Sequence, residues 1–208
     1  MSEEGLVDYT GLAADRAELD AYLGEVAAVS SAEFHAWTRA EQMAFLLNAY
    51  NACTLHLIVD HWPVASIRDT VPSGDPWNEV RFPLLGREVT LNEIEHTLLR
   101  PVYHEPWIHF GLFCGARGCP PLGQRAFTAA TLMESLEVNF RAFVNDPRFN
   151  DLSDPAHLRL SAIFEWYRTD FEEDAGSLVN TLQGFTATPL SPHAVIDFLP
   201  YDWNINGE

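Results

Sequence analysis

The alternation of apolar and polar positions divides the chain into elements before any single residue's chemistry is weighed. Leu19, Tyr22, Leu23 and Val26 recur at the spacing of one helical face and predict a helix from about Asp15 to Val29. Thr38 and Glu41 have the spacing of a capping box and open a second helix over roughly residues 39–62. Its sequence, AEQMAFLLNAYNACTLHLIVDHW, is apolar nearly all round, which places it centrally and buried, and Pro63 ends it. Asn48 and Asn51 lie one turn apart on this helix and need partners, because an unpaired buried amide costs ~1–3 kcal/mol. Residues 64–78, broken by Pro72, Gly74 and Pro76, read as an irregular surface loop. VRFPLLGREVTL reads as a hairpin turning near Leu85 and Gly86. Thr90 and Glu93 form a second capping box, starting a helix through Leu99 that stops before Pro101.

The segment from Trp107 to Cys114 is apolar, aromatic and followed by Gly115 and Gly118, and it reads as a strand. A helix over about residues 129–144, a short strand at 158–160 and a helix around 163–171 follow. A further helical stretch lies near Leu178, and the chain closes on YDWNIN. No internal repeat, low-complexity tract or linker divides it. The expected architecture is one α+β domain over residues 1–208, helix-rich, with a small, mainly antiparallel sheet and a buried central helix.

Composition narrows the function. Of 208 residues, 47% are hydrophobic and 12% aromatic, so a substantial core closes without disulfide staples. Thirty acidic residues against twelve basic ones give a formal net charge of -18, which repels phosphate backbones and anionic membranes; nucleic acid is not an expected partner. No run approaches the roughly 20 apolar residues of a membrane span, so no membrane insertion is expected. MSEEGLVDY has neither the basic nor the apolar region of a signal peptide. Three cysteines are too few for a disulfide scaffold, and Cys53, inside the apolar helix, reads as a small buried hydrophobe.

Cys114 and Cys119 differ from Cys53, since they flank a glycine-rich loop in HFGLFCGARGCP, residues 109–120. A thiol is a strong nucleophile at neutral pH once a nearby cation or imidazole lowers its pKa. His96, His104 and His109 are near in sequence, and Arg117 in the loop is placed to stabilise a thiolate or bind a carboxylate. The N–H groups of residues 115–118 are candidates to hold an oxyanion. In a regular strand His109 and Cys114 have opposite parity and face opposite sides, so a direct pair requires a bulge or a strand that ends before Cys114. Competing readings are a Cys114–Cys119 disulfide, an inert buried Cys114, and a zinc site, whose usual cysteine spacing is shorter than this one. Glu95, among Ile94, Leu98 and Leu99, is a candidate to orient a histidine, or a solvated carboxylate that Arg100 pairs across the last turn. Asp170 and Asp202 read as capping or turn residues.

The segments FLLNAYNACTL (45–55), LNEIEHTLLR (91–100), IHFGLFCGARGCPPL (108–122), IFEWYRTDF (163–171) and YDWNIN (201–206) resemble, in that order, the domain-of-unknown-function 547 family. The resemblance extends from Val7 to the C-terminus. It implies papain-like core elements, with a cysteine, a histidine and an acidic residue as the proposed machinery, and export for many bacterial members. Matched position by position, it points to Asn48 and Asn51, to Glu95 and His96, to His109, and to Cys114 and Cys119. Leu46-Leu47 stands where relatives often carry Trp-Ile, a core change.

The reading these residues support is a cysteine hydrolase or acyl transferase acting on a small peptide, amide or thiol-peptide such as glutathione, without cofactor or metal. Cys114 is the nucleophile with Cys119 in reserve, His109 moves the proton, and Glu95 orients it. Asn48, Asn51, Arg117 and His96 contact substrate. The alternatives are a non-catalytic binding module using the same cleft and a redox pair of the two cysteines.

Overall fold

The polypeptide is built around one helix. In the computed structural model, which describes residues 5–207, Arg39–His61 runs through the centre. Its start is the expected capping box: Thr38 accepts from the Glu41 N–H and Glu41 returns a bond to the Thr38 backbone. Leu46, Leu47, Ile58 and most of its other apolar side chains are buried, so the all-round apolar pattern does mark a central element. Ala17–Ala28 packs on it, with Tyr9–Ala14 and Ser31–Ala36 as short helices at the N-terminal end.

The hairpin forms as Arg81–Leu84 against Arg87–Thr90, antiparallel, with Phe82 opposite Val89. Leu85 and Gly86 turn it with positive φ angles of 54° and 78°. The following helix does not stop before Pro101. Leu91–Glu93 passes into a wider π-helical turn, Ile94–Leu99, and then into Arg100–Tyr103 with Pro101 in its first turn. The Arg100 N–H bonds back to Glu95 O, one residue further than in an α-helix, and this shift lets the proline begin a new turn instead of breaking one.

Trp107–Cys114 is not a strand. Pro106–Phe110 is a 3₁₀ helix, and residues 112–114 continue as irregular chain. The segment lies between two hydrophobic clusters. Ile108, Leu112 and Phe113 belong to the cluster around the central helix, while Phe110 enters a second one with Phe140, Phe143, Phe164 and Phe171. Bonding to side chains replaces a strand partner: Asn51 donates to Gly111 O at 2.9 Å and accepts from the Phe113 N–H at 2.8 Å, and Asn139 donates to Phe110 O at 3.0 Å. Apolar content on both faces suggested a buried strand, but here it reflects residues serving two cores at once.

The C-terminal half carries Leu132–Asn145, then a two-stranded parallel sheet, His157–Ser161 beside Val195–Leu199. The pattern of apolar and polar positions does not predict the second strand. The crossover between them contains Ile163–Trp166, Arg168–Glu172 and Leu178–Gln183, so the helix expected around 163–171 is broken at Tyr167. The result is a helix-rich α+β fold with two small sheets, one antiparallel and one parallel. No helix among the described residues is long and apolar enough to cross a membrane.

Candidate functional site

The last few residues give the glycine-rich loop its shape. Arg117 N–H donates to Asn204 O at 2.8 Å, Gly118 N–H to Asp202 O at 2.9 Å, and Asn206 N–H to Gly115 O at 3.0 Å. This docking explains the glycines by close approach. A Cβ on Gly118 would sit 3.0 Å from the Asp202 backbone N and from the Tyr201 ring, and Gly115 has φ +78° against Ile58. The expectation that residues 115–118 present an oxyanion hole is therefore corrected in part, because the N–H groups of Arg117 and Gly118 are occupied by the tail.

Docking brings Tyr201 to Cys114, with its hydroxyl 3.0 Å from Sγ. The two thiols five residues apart have opposite settings. Cys114 is half-buried and Cys119 buried, and all three cysteines, Cys53 included, are free. The Cys119 side chain, the Tyr201 hydroxyl and the Ala116 N–H hydrogen-bond to the Cys114 sulfur and lower its pKa against the opposing effects of burial and of Glu95's charge. Burial raises the Cys119 thiol far above its usual value, and its bond to Cys114 adds to the rise. Cys119 thus remains a thiol, accepting from the Cys114 N–H at 2.9 Å and facing Leu112 O at 3.5 Å. Burial and the adjacent thiols also raise the Tyr201 pKa, so its hydroxyl stays protonated and donates. Between two candidate thiols, the environment favours Cys114 as the thiolate.

His109 reaches the same cavity from the 3₁₀ helix. Its Nε2 lies 2.9 Å from Asp170 Oδ2, and Asp170 in turn accepts two bonds of 2.8 Å from Arg100 Nε and Nη2. Burial acts to raise the Asp170 pKa, but the hydrogen bonds from His109 and Arg100 overcome it and hold the carboxyl well below the usual range. An ionised carboxylate at Nε2 requires the proton on that nitrogen, which leaves Nδ1 as the lone-pair position of the neutral ring. Tyr167 stacks on the imidazole at 3.8 Å between ring centres.

Glu95 is buried with His109 Nδ1 at 3.7 Å and His96 Nε2 at 3.8 Å, beyond hydrogen-bond length. The acid that holds His109 is therefore Asp170, and the assignments of Glu95 as the orienting acid, Asp170 as a turn residue and Arg100 as a partner of Glu95 are corrected together. The cause is that Arg168–Glu172 brings Asp170 back against Arg100 and His109, and no local spacing signals contacts spanning 70 and 61 residues. His96 is a half-exposed neighbour whose Nδ1 lies 2.6 Å from Arg100 Nη1; burial lowers its pKa.

A cavity of about 340 Å³ joins these groups. Cys114, Cys119, His109, Glu95, His96 and Tyr201 all line it. Among the described residues no hydrogen bond joins either thiol to an imidazole. Three expected substrate contacts are not there. Asn48 is bonded both ways to Phe127, at 2.9 Å each, and Asn51 clamps the 111–113 segment, so each amide holds backbone in place, and neither lines the cavity that contains the thiols. Arg117 is exposed on another face, its Nε donating to Ile205 O at 3.3 Å. Among the described residues no three His, Cys, Asp or Glu side chains converge as metal ligands.

Comparison with known proteins adds a family and no activity. No curated protein and no solved structure matches the chain. The profile described as "Protein of unknown function, DUF547" matches residues 34–144. The matched region contains the asparagine clamps, Glu95, His109 and both cysteines, while Asp170 and Tyr201 complete the site from beyond it. With just over half its length in that match, the chain belongs to the DUF547 family.

Proposed function

We propose that this protein is a cysteine-dependent hydrolase or acyl transferase of papain-like chemistry, acting on an amide or thioester carbonyl. The observation that carries the reading is the shared cavity: a thiol with a lowered pKa and an imidazole anchored at Nε2 by an ionised carboxylate line the same space. Cys114 Sγ attacks the carbonyl carbon. His109 Nδ1 takes up and returns the proton to the leaving nitrogen or sulfur, and water or an acceptor then releases the acyl group from Cys114. Asp170 fixes the ring and its tautomer, and Arg100 fixes Asp170. Tyr201 O–H and Ala116 N–H, both directed at the sulfur, hold the thiolate and are the candidate donors to the oxyanion that its attack creates. The missing thiol–imidazole bond is compatible with catalysis, since such bonds are often long in ligand-free enzymes and tighten with substrate.

The same missing bond favours a second reading, a non-catalytic binding module in which Tyr201 simply satisfies the thiol. Iodoacetamide alkylation followed across pH, with each cysteine mapped by mass, separates the two. A Cys114 midpoint below the ~8.5 of a free thiol, together with turnover of an amide and thioester panel that Cys114→Ala removes, supports the enzyme. A midpoint at or above that value, with turnover indifferent to Cys114→Ala, leaves the binding module.

A further inference from the structure

The cavity wall has a composition that thiol chemistry alone does not require. Its carboxylates are Asp75 and Glu95, and no arginine lines it, although all twelve basic residues of the chain are arginines. Three indoles line it as one connected series. Trp77 and Trp203 have ring centres 5.6 Å apart, Trp203 and Trp166 are stacked at 5.9 Å, and Trp203 meets Tyr201 at 4.5 Å. Because Tyr201 reaches the Cys114 sulfur, an aromatic track runs from the nucleophile outward to Trp166, which is 46% exposed. Trp166 is not an isolated surface ring: it lines the cavity in contact with both Tyr201 and Trp203, so its open face extends a continuous aromatic surface.

Aromatic faces attract cations through their quadrupole, tryptophan most strongly. The protein's own guanidinium groups already use this wall from outside the cavity. Arg68 lies 5.2 Å from the Trp203 ring centre and Arg100 4.8 Å from that of Tyr167. The Arg100 charge is matched by Asp170, and Arg68 donates to Gly74 O, so neither supplies a cation inside. On the inner side, half-buried Asp75 stands at the start of Pro76–Glu79, the helix that carries Trp77, and accepts from Asn78 Nδ2 at 2.8 Å. His96 and His109 are the other titratable nitrogens of the lining; His109 is bound to Asp170, and burial disfavours charge on His96. An anionic ligand would meet two carboxylates in a protein of net charge -18.

Building on the hydrolase reading, we propose that the substrate carries a cationic group, a guanidinium or ammonium, beside the scissile carbonyl, held between the indole faces and Asp75. Acyl donors with free carboxylates, glutathione-like peptides among them, are then discriminated against.

The test has a binding arm and a turnover arm, both on the full chain. Intrinsic tryptophan fluorescence is titrated with the amides of N-acetylarginine, N-acetylleucine and N-acetylglutamate, and hydrolysis of the matching N-acetyl aminoacyl thioesters is measured in parallel. The expected Kd for the arginine amide is at least tenfold below that for the leucine amide, with the glutamate amide weakest. Asp75→Asn and Trp166→Ala each narrow the arginine-to-leucine ratio, and both alter exposed or half-buried side chains, so folding is preserved and checked by circular dichroism. Equal affinities, a preference for glutamate, or no binding by any of the three overturns the proposal. Thioester turnover with a glutamate preference defeats this inference and leaves the hydrolase standing. Arginine-selective binding without any turnover does the reverse.

Discussion

Two histidine–carboxylate pairs in this protein have nearly the same length and very different surroundings. His109 Nε2 lies 2.9 Å from Asp170 and His157 Nε2 lies 2.7 Å from Asp197. The His109 side chain is 2% exposed and Asp170 24%, whereas His157 and Asp197 are 49% and 63% exposed on adjoining strands of the parallel sheet. By distance the surface pair is the better bond. Only the buried one has a second cation, Arg100, on its carboxylate, an aromatic ring stacked on its imidazole, and a thiol lining the same cavity. In water an ion pair of this kind is worth little, because solvent screens it and competes for both partners. Removed from solvent, the same contact fixes a tautomer and a ring orientation. The difference between scaffold and site is made by what surrounds a pair, not by its length.

The largest difference expected between the two pairs is catalytic. On any amide or thioester that the protein turns over, His109→Ala lowers kcat/KM by about 10²–10⁴, while His157→Ala leaves it within about twofold, as for a surface substitution. Equal losses in the two variants would erase the distinction. Next comes stability. Asp170→Asn removes the acceptor of both Arg100 and His109, and a cost of about 2 kcal/mol is expected in urea unfolding, reduced from the ~3–5 of a fully buried pair because Asp170 and Arg100 retain some exposure. Asp197→Asn is expected to shift the midpoint by no more than about 0.5 kcal/mol.

Acid unfolding sharpens the same contrast. The folded-state pKa of Asp170 lies below its unfolded value of ~3.9, so its contribution to stability is fully present above that value. The contribution drains as pH falls toward the depressed folded value. The wild-type protein should therefore lose stability more steeply below about pH 4 than Asp170→Asn does, and coincident slopes would refute the assignment. The smallest effect concerns the stacked ring. Tyr167→Phe keeps the face on His109 and removes only the hydroxyl near Glu95, so a change of about 1 kcal/mol or less is expected, with kcat retained within about tenfold. Tyr167→Leu, which removes the ring, should reduce kcat further than Tyr167→Phe; an inverted order would show that the stacking does not hold His109 in place.

Several parts of this molecule were legible in the chain alone. The capping boxes at Thr38–Glu41 and Thr90–Glu93, the Leu85-Gly86 hairpin, the central helix and the helix-rich α+β class all rest on contacts between near neighbours or on a period of apolar residues. The sequence marks His109, Glu95, His96, Cys114 and Cys119 as chemical groups, and all five line one cavity. Where local pattern failed, the competing cause was tertiary. Trp107–Cys114 looked like a strand because both its faces are apolar, yet it serves two cores and bonds to the Asn51 and Asn139 side chains. Asn48 and Asn51 looked like ligand contacts because their need for partners was visible and the partners were not.

What the sequence by itself determined is therefore the place: a glycine-flanked cysteine segment beside a buried helix, with histidines nearby. The tertiary structure decided the roles. It put Asp170 rather than Glu95 on His109, lowered the pKa of one thiol and raised that of the other, and brought Tyr201 and the tryptophans to the cavity. The reason is physical. Periodicity and capping report interactions over a few residues, whereas pKa and hydrogen-bond partnership depend on burial and on charges that the chain delivers from far away. Asp170 meets His109 across 61 positions and Tyr201 meets Cys114 across 87. No spacing in one dimension records such meetings.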